Sequence, residues 1–142
     1  MNTIDDFFAK YEEGANSFDP DLLASQYTDC FMSADPKSTF CIRNDTKLRE
    51  AAIEREKLFH NLGFKFAKII GKDVTRLDDN YTMVKVHWHL RFDNPSAKQS
   101  DFKFFNTYFL STTGALKVVF YISHDDEQKV MKDAGLVPIQ AK

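Results

Sequence analysis

A chain of 142 residues has the size of one domain and is long enough to bury a core, so no second independent domain is expected. Its apolar share of 43% beside 28% charged residues is an ordinary globular balance. A formal charge of -2 without clustered Lys and Arg argues against nucleic acid or an acidic membrane surface as a partner, and no stretch is long and apolar enough to span a bilayer.

The first residues, Met1-Asn2-Thr3-Ile4-Asp5-Asp6, lack the basic start and apolar run of a signal peptide, and a cytoplasmic protein is expected. Ile4, Phe7, Phe8, Tyr11 and Ala15 recur at helical spacing, and Thr3 with Asp6 forms the pattern of a capping box, predicting an amphipathic helix over residues 3–15. Asp19-Pro20 puts a capping residue before a proline at the first helical position, starting a short second helix towards Tyr27. Residues 29–34 read as extended. Asp35-Pro36-Lys37-Ser38 is a turn, after which residues 39–43 pair back as a hairpin.

Asn44-Asp45 caps a third helix that turns Leu48, Ala52, Phe59 and Leu62 to the core and stops at Gly63. Four β-rich runs follow over residues 64–77, 81–92, 101–111 and 115–123, and their short connections predict an antiparallel meander. Asp125 is expected to cap a last helix ending near Gly135. One domain over residues 1–135 and a tail over 136–142 complete the organisation. Cys30 and Cys41 lack metal or disulfide spacing and read as buried, reduced thiols.

Helices followed by a meander give an α+β order in which helices cover one face of the sheet. Alternation puts Val84, Val86, Trp88, Leu90 and Phe92 on the helix-facing side and Lys85, His87, His89 and Arg91 on the other. The last two long strands are apolar on both faces, with Phe105, Phe109, Val118, Phe120 and Ile122 left for the outer one. A second copy of the protein is the expected cover, giving a sheet-to-sheet homodimer.

The order of elements, the Tyr27-Thr28-Asp29 stretch and the hairpin centred on Gly114 resemble the nuclear-transport-factor and polyketide-cyclase (SnoaL-like) superfamily over nearly the whole chain. That resemblance implies a cone: three N-terminal helices packed on a strongly curved antiparallel sheet, with a short C-terminal helix. It also implies a mouth that admits a small apolar or amphipathic molecule. Phe8-Ala9-Lys10-Tyr11, Tyr27 and Asp35-Pro36 are similar to stretches of the ketosteroid isomerases. Carried over, the resemblance makes Asp35 the base that moves a proton and Tyr11 and Asn106 hydrogen-bond donors to a developing enolate. Asn106 stands where that family has an acid; it can donate but cannot act as a protonated carboxyl.

Physical chemistry allows this trio, since an apolar cavity strengthens a buried hydroxyl as an oxyanion partner. The same residues also have plainer explanations: Asp-Pro opens turns, a helical Tyr packs, and a strand Asn can bond backbone. Tyr27, Trp88, Phe104, Tyr108 and Tyr121 are the expected ligand-contacting rings, and no cofactor is called for. His87 and His89 have an i, i+2 spacing that suits a metal, but they fall outside the cone and no third ligand has a diagnostic spacing to them. His124 beside Asp125, Asp126 and Glu127 reads either as an acid-base pair at a rim or as helix capping. Two functions remain open: a ligand-binding cone, in enzymatic form a cofactor-free proton-transfer catalyst, or a filled cone serving as an interaction module.

Overall fold

A computed structural model describes residues 3–139. The helix α1 (Ile4–Ser17) carries the expected capping box, with Thr3 Oγ1 accepting from Asp6 N at 3.0 Å. It ends at Phe18, whose φ of 57° is left-handed; the chain turns there so that the Phe18 ring can enter the core. Asp19 caps α2 (Pro20–Ser25) by accepting from Asp21 N and Leu22 N. Tyr27 already belongs to β1 (Tyr27–Ala34), which forms a hairpin with β2 (Thr39–Arg43) across the Asp35 turn.

Asp45 caps α3 (Thr46–Asn61), while Asn44 takes a different role from the capping expected of it. Its Nδ2 donates to Ala24 O at 2.7 Å and Tyr27 O at 3.1 Å, which locks the end of α2 to the start of β1. Strands β3 (Phe64–Arg76), β4 (Tyr81–Phe92), β5 (Asp101–Ser111) and β6 (Lys117–Ser123) form the meander, and α4 (Glu127–Asp133) follows. The cap of α4 is Asp126, which accepts from Lys129 N, and not Asp125. Asp125 instead accepts from Phe105 N at 3.1 Å and holds the end of β6 against β5.

The sheet order is β2-β1-β6-β5-β4-β3. The meander is antiparallel as expected, but β1 joins β6 in parallel. Parallel pairing is open to these two strands because most of the chain, α3 included, forms the crossover between them. Register breaks at Ile69/Gly71 and Phe109/Leu110 add the local kink and twist that curve a sheet. The β4–β5 ladder runs unbroken from Tyr81↔Ser111 to Arg91↔Asp101, so the alternation read from the sequence holds. Val84, Val86, Trp88, Leu90 and Phe92 are buried, and each fully buried side chain of this kind contributes about 1.5–3 kcal/mol.

Polar residues of α1 close one edge of the sheet. Asn16 donates to Ala67 O and accepts from Ala67 N, both at 2.8 Å, and Glu12 Oε1 accepts from Ile69 N at 2.7 Å. The free edge of β3 is thereby partly capped. At the other edge, Cys30 and Cys41 are exposed free thiols, correcting the expectation of buried ones. The hairpin that carries them has no element over its outer face. Packing also continues past the 135 boundary: Leu136 is buried, and Ile139 N donates to Asn61 O at 2.6 Å. The final residues of the expected tail lie outside the described residues.

Candidate functional site

Between the helices and the inner sheet face lies an open-mouthed cavity of about 550 Å³, a size that suits a small molecule. Helix α1 contributes Tyr11, because its apolar stripe faces the sheet. Strand β1 contributes Tyr27, Phe31 and Ser33 on its inner face and Asp35 at its end. From β4, β5 and β6 come Trp88, Phe104, Asn106, Tyr108 and Tyr121, for a reason that cross-strand register makes plain: Trp88 lies opposite Phe104, and Tyr108 opposite Tyr121. The eight residues singled out from the sequence thus line a single cavity.

Their polar atoms form two hydrogen-bonded groups. Trp88 Nε1 and Asn106 Nδ2 each donate to Tyr108 Oη at 3.2 Å, and the Tyr11 and Tyr27 hydroxyls are hydrogen-bonded to each other. The rings pack at 5.0 Å for Tyr11–Tyr108 and 6.0 Å for Tyr108–Tyr121. Burial raises the Tyr11 phenol well above its ordinary range, and the neighbouring Tyr108 and Tyr27 hydroxyls raise it further. Tyr27 is raised well above its range by burial first and by Tyr121 and Tyr108 next, with the Tyr11 hydrogen bond and Arg55 opposing. Tyr108 is also raised by burial, against the lowering effect of the hydrogen bonds from Asn106 and Trp88. All three phenols therefore stay neutral at physiological pH.

The mouth is charged. Asp35 is exposed there, and its Oδ1 accepts from Lys37 N at 2.8 Å and Ser38 N at 2.9 Å, so that oxygen holds the turn. Lys37 pairs with Asp126 at 3.0 Å and Arg55 with Glu127 at 3.1 Å, bridging the hairpin and α3 to the start of α4. The Lys37 ammonium, with the Lys129 amide, holds the Asp126 carboxyl below its ordinary value. His124 turns to the outer face, where its Nε2 lies 2.7 Å from Thr107 Oγ1, and it takes no part in the rim. His87 stacks on Phe105 at 4.0 Å and His89 pairs with Asp101 at 2.7 Å, both outside the cone. Among the described residues no group of three or more His, Cys, Asp or Glu side chains could hold a metal ion.

Arg55 and Gln26 are among the cavity residues that escaped the sequence reading. Arg55 is in step with Leu48, Ala52 and Phe59 on the core-facing stripe of α3, and a charged residue in an apolar stripe was the available signal. Gln26 is buried and lines the cavity, and its Nε2 has no hydrogen-bond partner among the described residues. Among the described residues, Asn106 Oδ1 is the other buried side-chain nitrogen or oxygen without a partner. No sequence pattern announces either.

The family model of NTF2-like proteins described as DUF6841 matches residues 1–125. The chain belongs to this NTF2-like family. Solved structures agree in fold. An NTF2-like protein of unknown function from Shewanella oneidensis superposes with a TM-score of 0.68 at 18% identity, covering 86% of this chain and 96% of that one. A ketosteroid isomerase-like protein from Erwinia carotovora gives 0.62 at 16% identity over 85% and 92% of the two chains. A protein of ketosteroid isomerase-like fold from Catenulispora acidiphila, in complex with trimethylamine, gives 0.62 at 10% identity over 99% and 100%. No curated protein matches the chain. Among the described residues no helix is long and apolar enough to cross a membrane.

Proposed function

We propose that this NTF2-like protein is a small-molecule-binding cone whose interior receives a planar or amphipathic, largely apolar compound. The observation that carries this reading is the cavity itself. It opens to solvent, reaches Tyr11, Asp35 and Asn106 together, and is walled by aromatic rings that leave a few polar atoms facing inward. A filled cone acting only as an interaction module has no use for such a void. The Catenulispora neighbour holds a small organic molecule, which is compatible with this reading. Native mass spectrometry of freshly purified protein is expected to show a retained small molecule or uptake from a metabolite mixture; bare chain under both conditions argues for the module instead.

In its enzymatic form the cone moves a proton at a carbonyl compound without a cofactor. Asp35 serves as base through Oδ2, the oxygen that the turn leaves free, and the neutral phenols supply donors to developing charge. An Asp35→Asn variant keeps the turn, so it is expected to bind ligand within about twofold of the native protein and to lose roughly a hundredfold or more in turnover. Undiminished turnover removes Asp35 from the mechanism.

The outer sheet face supports a homodimer as part of the same proposal. Met32, Phe120, Phe109 and Met83 fall in one cross-strand row, and Phe105 remains 38% exposed beside it. The flanking strands offer both Lys85 and Asp73, so the face can meet a two-fold copy of itself without like-charge conflict. Sedimentation velocity is expected to report a dimer that Phe120→Lys converts to monomer. The exposed free thiols of Cys30 and Cys41 suit a reducing, cytoplasmic setting, which thiol titration on protein from intact cells checks.

A further inference from the structure

Two thiols and a thioether converge on the outer face of the β1–β2 hairpin, on the far side of the sheet from the cavity. The hairpin ladder runs unbroken from Cys30↔Arg43 to Ala34↔Thr39. Within it Phe31 and its partner Ile42 turn inward to line the cavity, so alternation turns Cys30, Met32, Cys41 and Arg43 outward together. Cys30 and Cys41 are exposed free thiols, and Met32 is exposed beside them. Along the chain the two cysteines have no metal-ligand spacing; the turn at Asp35 is what brings them to one surface.

Spacing decides what these sulfurs can do. Met32 lies directly opposite Cys41, and Cys30 is the diagonal neighbour of Cys41, a relation that sets Cα atoms roughly 7–8 Å apart. A disulfide needs Cα atoms within about 6.8 Å, so the diagonal pair is too wide for a sulfur–sulfur bond unless the backbone moves. Two metal–sulfur bonds of about 2.3 Å each span the wider gap. Among the described residues no His, Asp or Glu completes the thiol pair to a group of three, so the third donor at hand is the Met32 thioether. Two thiolates and a thioether make a soft, sulfur-only set, which suits Cu(I) and not the divalent ions that favour nitrogen or oxygen. Cu(I) between two thiolates leaves a single negative charge, and Arg43, directly opposite Cys30 on the same face, supplies a positive one. Strand β2 is the edge of the sheet, so the sulfurs stand where an ion can arrive from solvent.

We propose that Cys30, Cys41 and Met32 form a surface site for a soft monovalent ion, Cu(I), at the open edge of the sheet. Binding releases the two thiol protons and leaves the copper at the same oxidation state, so no oxidant or reductant takes part. The test is an anaerobic titration of the full chain with Cu(I) alone, in competition with the chelator bicinchoninate. A single ion per chain is expected, together with the ultraviolet absorption of thiolate-to-copper charge transfer. Cys30→Ser and Cys41→Ser are each expected to weaken binding roughly a hundredfold or more, and Met32→Leu about tenfold. All three side chains are exposed, so the variants are expected to keep the circular dichroism of the native fold. Met83→Leu, a thioether loss on β4, is expected to leave the affinity unchanged. A chain that yields all its copper to the chelator overturns the proposal, and so does a single-cysteine variant that binds as tightly as the native protein. Undiminished affinity in Met32→Leu removes the thioether from the site. Zn(II) held as tightly as Cu(I) overturns the choice of a soft monovalent ion.

Discussion

The two ends of the cone interior use the same six-membered ring in different ways. Behind α3, Phe64, Phe92 and Phe102 pack away from the cavity, with Phe59 and Phe92 at 5.2 Å and Phe92 and Phe102 at 5.9 Å, while Phe18 and Phe59 reach its wall. Under α1, Tyr11, Tyr27, Tyr108 and Tyr121 hold comparable spacings but border a void. The difference is one oxygen per ring. Phenylalanine can settle wherever its quadrupole and shape allow, so Phe92 and Phe102 sit in solid packing. A buried phenol must also keep a partner for its hydroxyl, which ties each ring to a fixed neighbour and limits how far the cluster can collapse.

This contrast can be broken most completely by alkali, which acts on three phenols together. Below about pH 10, the ordinary value for tyrosine, Tyr11, Tyr27 and Tyr108 are protonated in the folded and unfolded chains alike, and their contribution is fully present. As the pH rises further the unfolded chain releases these protons while the fold retains them, so stability falls with pH. Tyrosinate absorbance is expected to rise for these residues only together with loss of the circular dichroism of the fold. A smooth titration of all tyrosines in the folded protein contradicts the burial of these three hydroxyls.

Next in size is damage to the packed end. Phe92 is fully buried amid three other rings, and Phe92→Ala is expected to destabilise by about 3–5 kcal/mol in urea unfolding. Smaller effects belong to the hydroxyl end. Tyr108→Phe strands both Trp88 Nε1 and Asn106 Nδ2, costing about 1–3 kcal/mol. Tyr27→Phe removes a single bond to Tyr11 and is expected to cost about 0.5–1.5 kcal/mol. If the Tyr27 variant loses more than the Tyr108 variant, Tyr108 is not the junction of the network.

Much of this was readable in advance because alternation in β4 and β5 is a local signal. The buried set from Val84 to Phe92 and the cavity set of Phe104, Asn106 and Tyr108 both follow from period two, and no bulge breaks the β4–β5 register. The outward placement of His87 and His89 has the same origin. Asp35 was legible as a turn residue, and the amides of Lys37 and Ser38 are its partners. Illegible were the contacts that join distant segments: the use of Asn44 to tie α2 to β1, the transfer of capping from Asp125 to Asp126, and the exposure of Cys30 and Cys41 on an uncovered hairpin.

By itself, then, the sequence determined the α+β order, the elements within a few residues, and which side chains of β4 and β5 face inward, because capping, turn chemistry and periodicity act over a few positions. On β6 the register break at Phe109/Leu110 turns Val118, expected on the outer face, into the core. The tertiary structure alone decided that β1 lies parallel to β6 and that the inward rings leave a cavity among them. The reason is that these depend on partners far apart in the chain: the cavity wall exists only once Tyr11 from α1, Tyr27 from β1 and Tyr108 from β5 meet in one place.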